Sequence, residues 1–163
     1  MKKSLPVLKE VAEDVFLAAI PVPLMGQVNC YLFRGENGFT VIDTGLYTKE
    51  GRDLWEDLLS SGIQIEKVVL THFHIDHIGF AKWFQEKYHV PIYISSTGYE
   101  EMKKRRTGTY SDWVLNLFQQ HDGLQVFRTA IEEQIEVEKQ MLHVYEFEPD
   151  GLLEDGQYII LGN

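Results

Sequence analysis

At 163 residues the chain holds one compact domain and not two, and its 44% hydrophobic content is enough for a core. A formal charge of -10 argues against a broad phosphate-binding surface, because affinity for nucleic acid rests on Lys and Arg. No window approaches transmembrane length, and no membrane association is expected. The opening Met1–Glu10 begins like a signal peptide, but Glu10, Glu13 and Asp14 interrupt any apolar run. Cys30 is the only cysteine, so no internal disulfide forms. Its place in an apolar run marks a buried structural thiol, and a cytoplasmic protein is expected.

In chain order, Val15–Ile20 reads as a strand ended by Pro21 and Pro23. Strands at 28–34 and 39–43 flank Gly35–Gly38, a hairpin turn. Leu54, Trp55, Leu58 and Leu59 recur at helical spacing over 48–61, and Gly62 stops that helix. A strand at 67–71, a helix near 80–88 and a strand at Ile92–Ile94 follow, so strand and helix alternate in an α/β pattern.

Residues 97–143 contain no convincing strand and read as two or three helices beside the preceding elements. Trp113, Val114, Leu117 and Phe118 form one apolar stripe, and Leu124, Phe127, Ile131 and Ile135 continue it. These residues pack a core or, alternatively, wall a substrate site. Lys103, Lys104, Arg105 and Arg106 read as a solvated helix end rather than an anion site. Glu132, Glu133, Glu136 and Glu138 read as a solvated face. Gly151–Gly156 is expected to be a turn and Tyr158–Leu161 a strand.

The densest chemistry is His72-Phe73-His74-Ile75-Asp76-His77. Chance placement of these residue types gives such a cluster in roughly one chain of this composition in two thousand. Three imidazoles and a carboxylate in six residues imply a metal site. That donor set favours zinc and also admits iron or manganese. His72 and His74, two apart in extended backbone, project to one side and share one metal. Asp76 and His77 lie where the chain turns towards the next helix and suit a second metal. His89, His121 and His143 stand apart and are expected to be surface histidines.

Thr71–Gly79, reading THFHIDHIG, resembles the His-X-His-X-Asp-His signature of the metallo-β-lactamase-fold superfamily. Val28–Phe33 and Val41-Ile42-Asp43-Thr44-Gly45 resemble that fold's second strand and its strand-to-turn element. The resemblance implies an α/β fold: half of an αββα sandwich in a single domain over 1–163, with a helical insertion at 97–143 and the carboxyl-terminal half absent. It implies a binuclear zinc hydrolase of a small ester, thioester or lactone, using a metal-bound hydroxide. His72 and His74 would hold the first metal and Asp76 and His77 the second. Asp76 would also orient the nucleophile, and Asp43 would fix a ligand histidine or the loop. The remaining metal ligands would come from segments beyond this sequence. A nuclease of the same superfamily and a non-catalytic fragment needing a partner chain are the alternatives. An open sheet face would favour self-association.

Overall fold

The computed structural model describes residues 8–23, 26–120 and 128–162. Seven strands form one sheet in the order of the sequence: β1 Lys9–Ala12, β2 Val15–Val22, β3 Gly26–Arg34, β4 Phe39–Ile42, β5 Ile65–Val69, β6 Ile92–Ser95 and β7 Gly151–Leu153. Strands β1 to β4 follow one another closely in sequence and pair antiparallel. Strands β4 to β7 are joined through helices and pair parallel, as crossover connections require. The helices are α1 Lys49–Ser60, α2 Ile75–Ile78, α3 Ala81–Tyr88, α4 Ser96–Arg106, α5 Thr109–Gln120 and α6 Arg128–Gln140. Among the described residues, no helix is long and apolar enough to cross a membrane.

Alternation along the strands decides which face is covered. Ala18, Cys30, Leu32, Val41, Val68, Ile92 and Ile94 are buried. The registers Ala18↔Cys30, Leu32↔Val41, Val41↔Val68 and Val68↔Ile92 align them on one face. Trp55 and Leu58 of α1, Ala81 and Phe84 of α3 and Met102 of α4 join them in one core cluster. On the opposite face, Leu17, Tyr31, Ile42 and Tyr93 are only half-buried.

Helix α1 starts where the Thr48 hydroxyl accepts the Gly51 amide, a side-chain N-cap at 3.0 Å. It ends at Ser60, two residues before Gly62, whose φ of +97° is open to glycine at no steric cost. Trp55 turns inward, and its indole N–H donates to the Thr44 carbonyl at 2.9 Å. This bond ties α1 to the segment leaving β4.

Several elements differ from the sequence reading. β1 is an exposed edge strand with no apolar alternation to announce it. β5 covers Ile65–Val69, so Leu70 and Thr71 already belong to the loop. A one-turn helix, α2, forms inside the motif itself. Gly151–Leu153 is a strand, paired to β6, whereas Tyr158–Leu161 forms none. Tyr158 and Ile160 are 98% and 74% exposed, so nothing packs them as a strand would require. The helical reading of 97–143 is met by α4, α5 and α6. Leu124, Phe127, His121 and the Phe118 side chain lie outside the described residues.

Gly79 sits at the end of α2 in ordinary helical backbone, φ -51°. A Cβ there would stand 2.4 Å from the Gly45 carbonyl oxygen and 2.5 Å from the Tyr47 amide nitrogen. Both are backbone atoms that cannot step aside. Gly79→Ala should therefore cost about 1–3 kcal/mol of stability, the usual scale of overpacking. Urea unfolding measures it, and an unchanged midpoint would mean that α2 is not pressed against residues 45–47.

Candidate metal centre

The site lies beyond the carboxyl ends of two adjacent parallel strands, β4 and β5. Ligand sites in open α/β sheets gather at such edges. β4 delivers Asp43, Thr44 and Gly45; β5 delivers Leu70 through His77. The two segments are joined by side chains. The Asp43 carboxylate is 4% exposed. Its Oδ1 accepts the Thr71 amide at 2.8 Å, and its Oδ2 accepts the Thr71 hydroxyl at 2.7 Å. The His77 Nδ1 lies 2.8 Å from the same Oδ2. Asp43 itself has φ +60°, a left-handed conformation that Asp and Asn adopt more readily than other non-glycine residues.

Thr44 completes the junction. Its amide and its hydroxyl both donate to the His77 carbonyl, at 2.7 and 2.9 Å. The same hydroxyl accepts the Phe80 amide at 3.0 Å. The one-turn helix α2 is thus held at His77 from both its ring and its carbonyl. A helix this short cannot sustain itself, so these contacts carry it.

Three rings converge on one side of the loop. His72 Nε2 lies 3.2 Å from His74 Nδ1, and the His72 and His77 ring centroids are 4.0 Å apart. His77 Nε2 lies 3.5 Å from Asp76 Oδ2. Two donors on a tetrahedral ion with bonds of about 2.0–2.1 Å sit roughly 3.3–3.4 Å apart. Both pairs, His72 with His74 and Asp76 with His77, have the separation that a shared ion needs. Among the described residues no group of three or more His, Cys, Asp or Glu side chains encloses a single metal position. The four donors thus stand as two pairs, His72 with His74 and Asp76 with His77.

Electrostatics separate the rings. Partial burial holds His72 below the ordinary imidazole value, and the neighbouring His77 and His74 add to that. The hydrogen bond to Asp43 raises His77 above it, against the opposing effect of burial. Burial pushes the Cys30 thiol well up, with the Asp43 charge adding, as befits a structural thiol.

The helices support the loop from behind. Phe73, between the two paired histidines, faces the Arg105 guanidinium at 5.2 Å and packs on His74 at 4.9 Å. Arg105 also lies 3.4 Å over the Tyr110 ring and pairs with Glu138 at 2.7 Å, both side chains nearly buried. The Tyr145 hydroxyl donates to the same Glu138 oxygen at 3.1 Å. Arg106 donates to the Tyr145 and Phe147 carbonyls and to Glu148. The two arginines are therefore internal clamps, not a solvated helix end, and Glu138 leaves the solvated glutamate face to meet one of them. Lys103 and Lys104 do remain at the surface, paired with Glu100 and Glu101. Trp113 and Leu117 stand 56% and 39% exposed on α5 instead of packing a core. His89 caps α3 in left-handed backbone, and exposed His143 stacks edge-on against Tyr47. Thr71, Thr44 and Arg105 were not singled out as site residues from sequence. Only adjacency to the histidine motif and to Asp43 could have signalled the two threonines.

Asp43→Asn keeps a residue that tolerates the left-handed backbone and removes the charge. It should cost about 1–3 kcal/mol, since buried donors lose an acceptor. In the metal-free chain the folded state binds the His77 proton more tightly than the unfolded state does. The ionic part of the contact is thus fully present below about pH 6.5, the unfolded value, and fades as pH rises through the raised folded value. The stability gap between Asp43→Asn and the parent should therefore be larger at acidic than at alkaline pH. An NMR titration should also show the His77 value falling in the variant; an unmoved value would refute the assignment.

The profile described as the metallo-beta-lactamase superfamily matches residues 24–153. The chain is 36% identical over 112 residues to "Probable metallo-hydrolase YqjP" of Bacillus subtilis (strain 168), covering 66% of this chain and 34% of the relative. "Probable metallo-hydrolase YflN" of the same organism is 33% identical over 89 residues, covering 50% of this chain and 34% of the relative. The chain thus spans about a third of the length of the curated relatives it matches. A metallo-beta-lactamase family protein of Thermus thermophilus shares the fold, with a TM-score of 0.70 at 23% identity, over 91% of this chain and 48% of that one. A beta-lactamase domain protein from Burkholderia ambifaria superposes with a TM-score of 0.55 at 26% identity, over 61% of this chain and 35% of that one. With the match spanning 130 of 163 residues, and with the β4 and β5 segments locked together as described, the chain belongs to the metallo-beta-lactamase superfamily.

Proposed function

We propose that this chain carries the metal-holding part of a metal-dependent hydrolase acting on a small ester, thioester or lactone. The observation that supports this reading is the pair of donor separations, 3.2 Å and 3.5 Å, on one loop held by a buried carboxylate. His72 and His74 would hold one divalent ion, and Asp76 and His77 a second, with zinc favoured by the donor types. Metals bound there lower the pKa of water towards neutrality and polarise a substrate carbonyl.

The chain's own residues prepare that chemistry. Asp43 keeps the His77 ring turned so that Nε2 faces Asp76. Asp76 presents a carboxylate there, 28% exposed, and its second oxygen would be free to orient the nucleophile. Phe73, between the paired histidines, packs on His74 and faces Arg105, which places its ring on the helical side of the loop. The net charge of -10 disfavours a polyanionic substrate and leaves small carbonyl compounds.

Two protein donors per ion predict weak binding of up to two equivalents of Zn2+ by the chain as it stands. Calorimetry and elemental analysis should show one equivalent lost in His74→Ala and the other in His77→Ala. Two tightly held ions in the chain alone, or identical binding by both variants, would contradict the assignment. In protein that is active with metal, chelation should abolish hydrolysis across a thioester and lactone panel. His72→Ala, His74→Ala and Asp76→Ala should each reduce it by at least about a hundredfold. Full turnover by any of these variants would overturn the proposed roles.

A further inference from the structure

We propose that the Thr71 hydroxyl is a positioning group that sets the tautomer of His72, relaying the Asp43 carboxylate to a ring that Asp43 does not touch. The inference rests on the metal-holding role just proposed for His72 and His74. Thr71 Oγ1 lies 2.7 Å from Asp43 Oδ2 and 3.0 Å from His72 Nδ1. A hydroxyl has a single hydrogen to give, and an ionised carboxylate only accepts. The Thr71 hydrogen therefore goes to Asp43. The contact with His72 is then a bond only if Nδ1 carries the hydrogen and the hydroxyl oxygen accepts it. His72 is thereby held as the Nδ1–H tautomer, with its lone pair on Nε2.

The same Oδ2 receives His77 Nδ1 at 2.8 Å, which leaves the His77 lone pair on Nε2 as well. One buried carboxylate oxygen thus orients two imidazoles, one directly and one through a hydroxyl. The Thr71 amide on Oδ1 at 2.8 Å keeps the threonine in place for this. Asp43 is enclosed while Thr71 faces solvent, so the relay carries a buried charge out to a half-buried ring.

A second consequence concerns His74. His72 Nε2, bare of hydrogen, faces His74 Nδ1 at 3.2 Å. In the metal-free chain His74 must then carry its hydrogen on Nδ1 and donate it to His72. A metal shared by the pair needs both lone pairs. His74 must move its hydrogen from Nδ1 to Nε2 when the ion binds, whereas His72 needs no change. The relay makes His72 the preset ligand and His74 the one that adapts.

Long-range proton–nitrogen NMR on the full chain reads each imidazole tautomer directly. It would be run without metal at a pH where the rings are neutral, then with Zn2+ alone added. His72, His74 and His77 should all carry hydrogen on Nδ1 at first, and Zn2+ should switch His74 alone to Nε2–H. Thr71→Val, similar in shape but without the hydroxyl, should release His72 to a mixed or Nε2–H state and leave His77 unchanged. It should also weaken Zn2+ binding by about tenfold or more, the usual cost of losing an outer partner of a ligand histidine. Thr71→Ser should restore both. A parent His72 found as Nε2–H, or a Thr71→Val chain that keeps Nδ1–H at His72, would overturn the relay. If the tautomers appear as stated but Zn2+ at millimolar levels moves neither His72 nor His74, the relay stands and the metal-holding reading fails.

Discussion

Everything at this site depends on a buried carboxylate. Asp43 is removed from water, and an isolated charge there would be costly. It is tolerated because two N–H or O–H groups of Thr71 and the ring nitrogen of His77 converge on its two oxygens. The cost of burial and the left-handed backbone at Asp43 are offset by the same contacts that order the loop. Backbone strain of this kind persists only where the surroundings over-determine it, and it concentrates at functional positions.

From that point order spreads outward through short links. Thr44 takes over where Asp43 ends, gripping the His77 carbonyl and the Phe80 amide, and Trp55 brings α1 onto the Thr44 carbonyl. The motif loop is thus fastened to the core on its inner side through the β4 segment. On its outer side the Arg105 guanidinium, neutralised by Glu138 and stacked on Tyr110, faces Phe73. The motif loop is thus contacted from both sides, and preorganisation of this kind lowers the ordering cost of whatever a loop binds.

The division between the two half-sheets of strand pairing matters for where chemistry occurs. The antiparallel strands β1 to β4 bring no donors to the centre except through the exit of β4. The parallel strands place their carboxyl ends side by side, so residues 43 and 71, far apart in sequence, meet within one hydrogen bond.

The sequence by itself determined the parts that depend on neighbours along the chain. The short apolar runs at Val15–Ile20 and Val28–Phe33, the helical spacing of Leu54, Trp55 and Leu58 and the glycine stop at Gly62 are local patterns, and the corresponding elements form. The cluster from His72 to His77 was legible for the same reason. The tertiary structure alone decided what each long-range partner would be. That Asp43 would take Thr71 and His77 together, across 28 and 34 residues, follows from the parallel register of β4 and β5. Arg105 and Glu138 look like surface charges because their own neighbours along the chain are polar; they meet only when the tertiary fold brings α4 and α6 within side-chain reach. Tyr158–Leu161 has the composition of a strand, but a strand forms only where it finds a partner and a surface to pack on; Gly151–Leu153 takes the place beside β6, and Tyr158 and Ile160 stay in solvent.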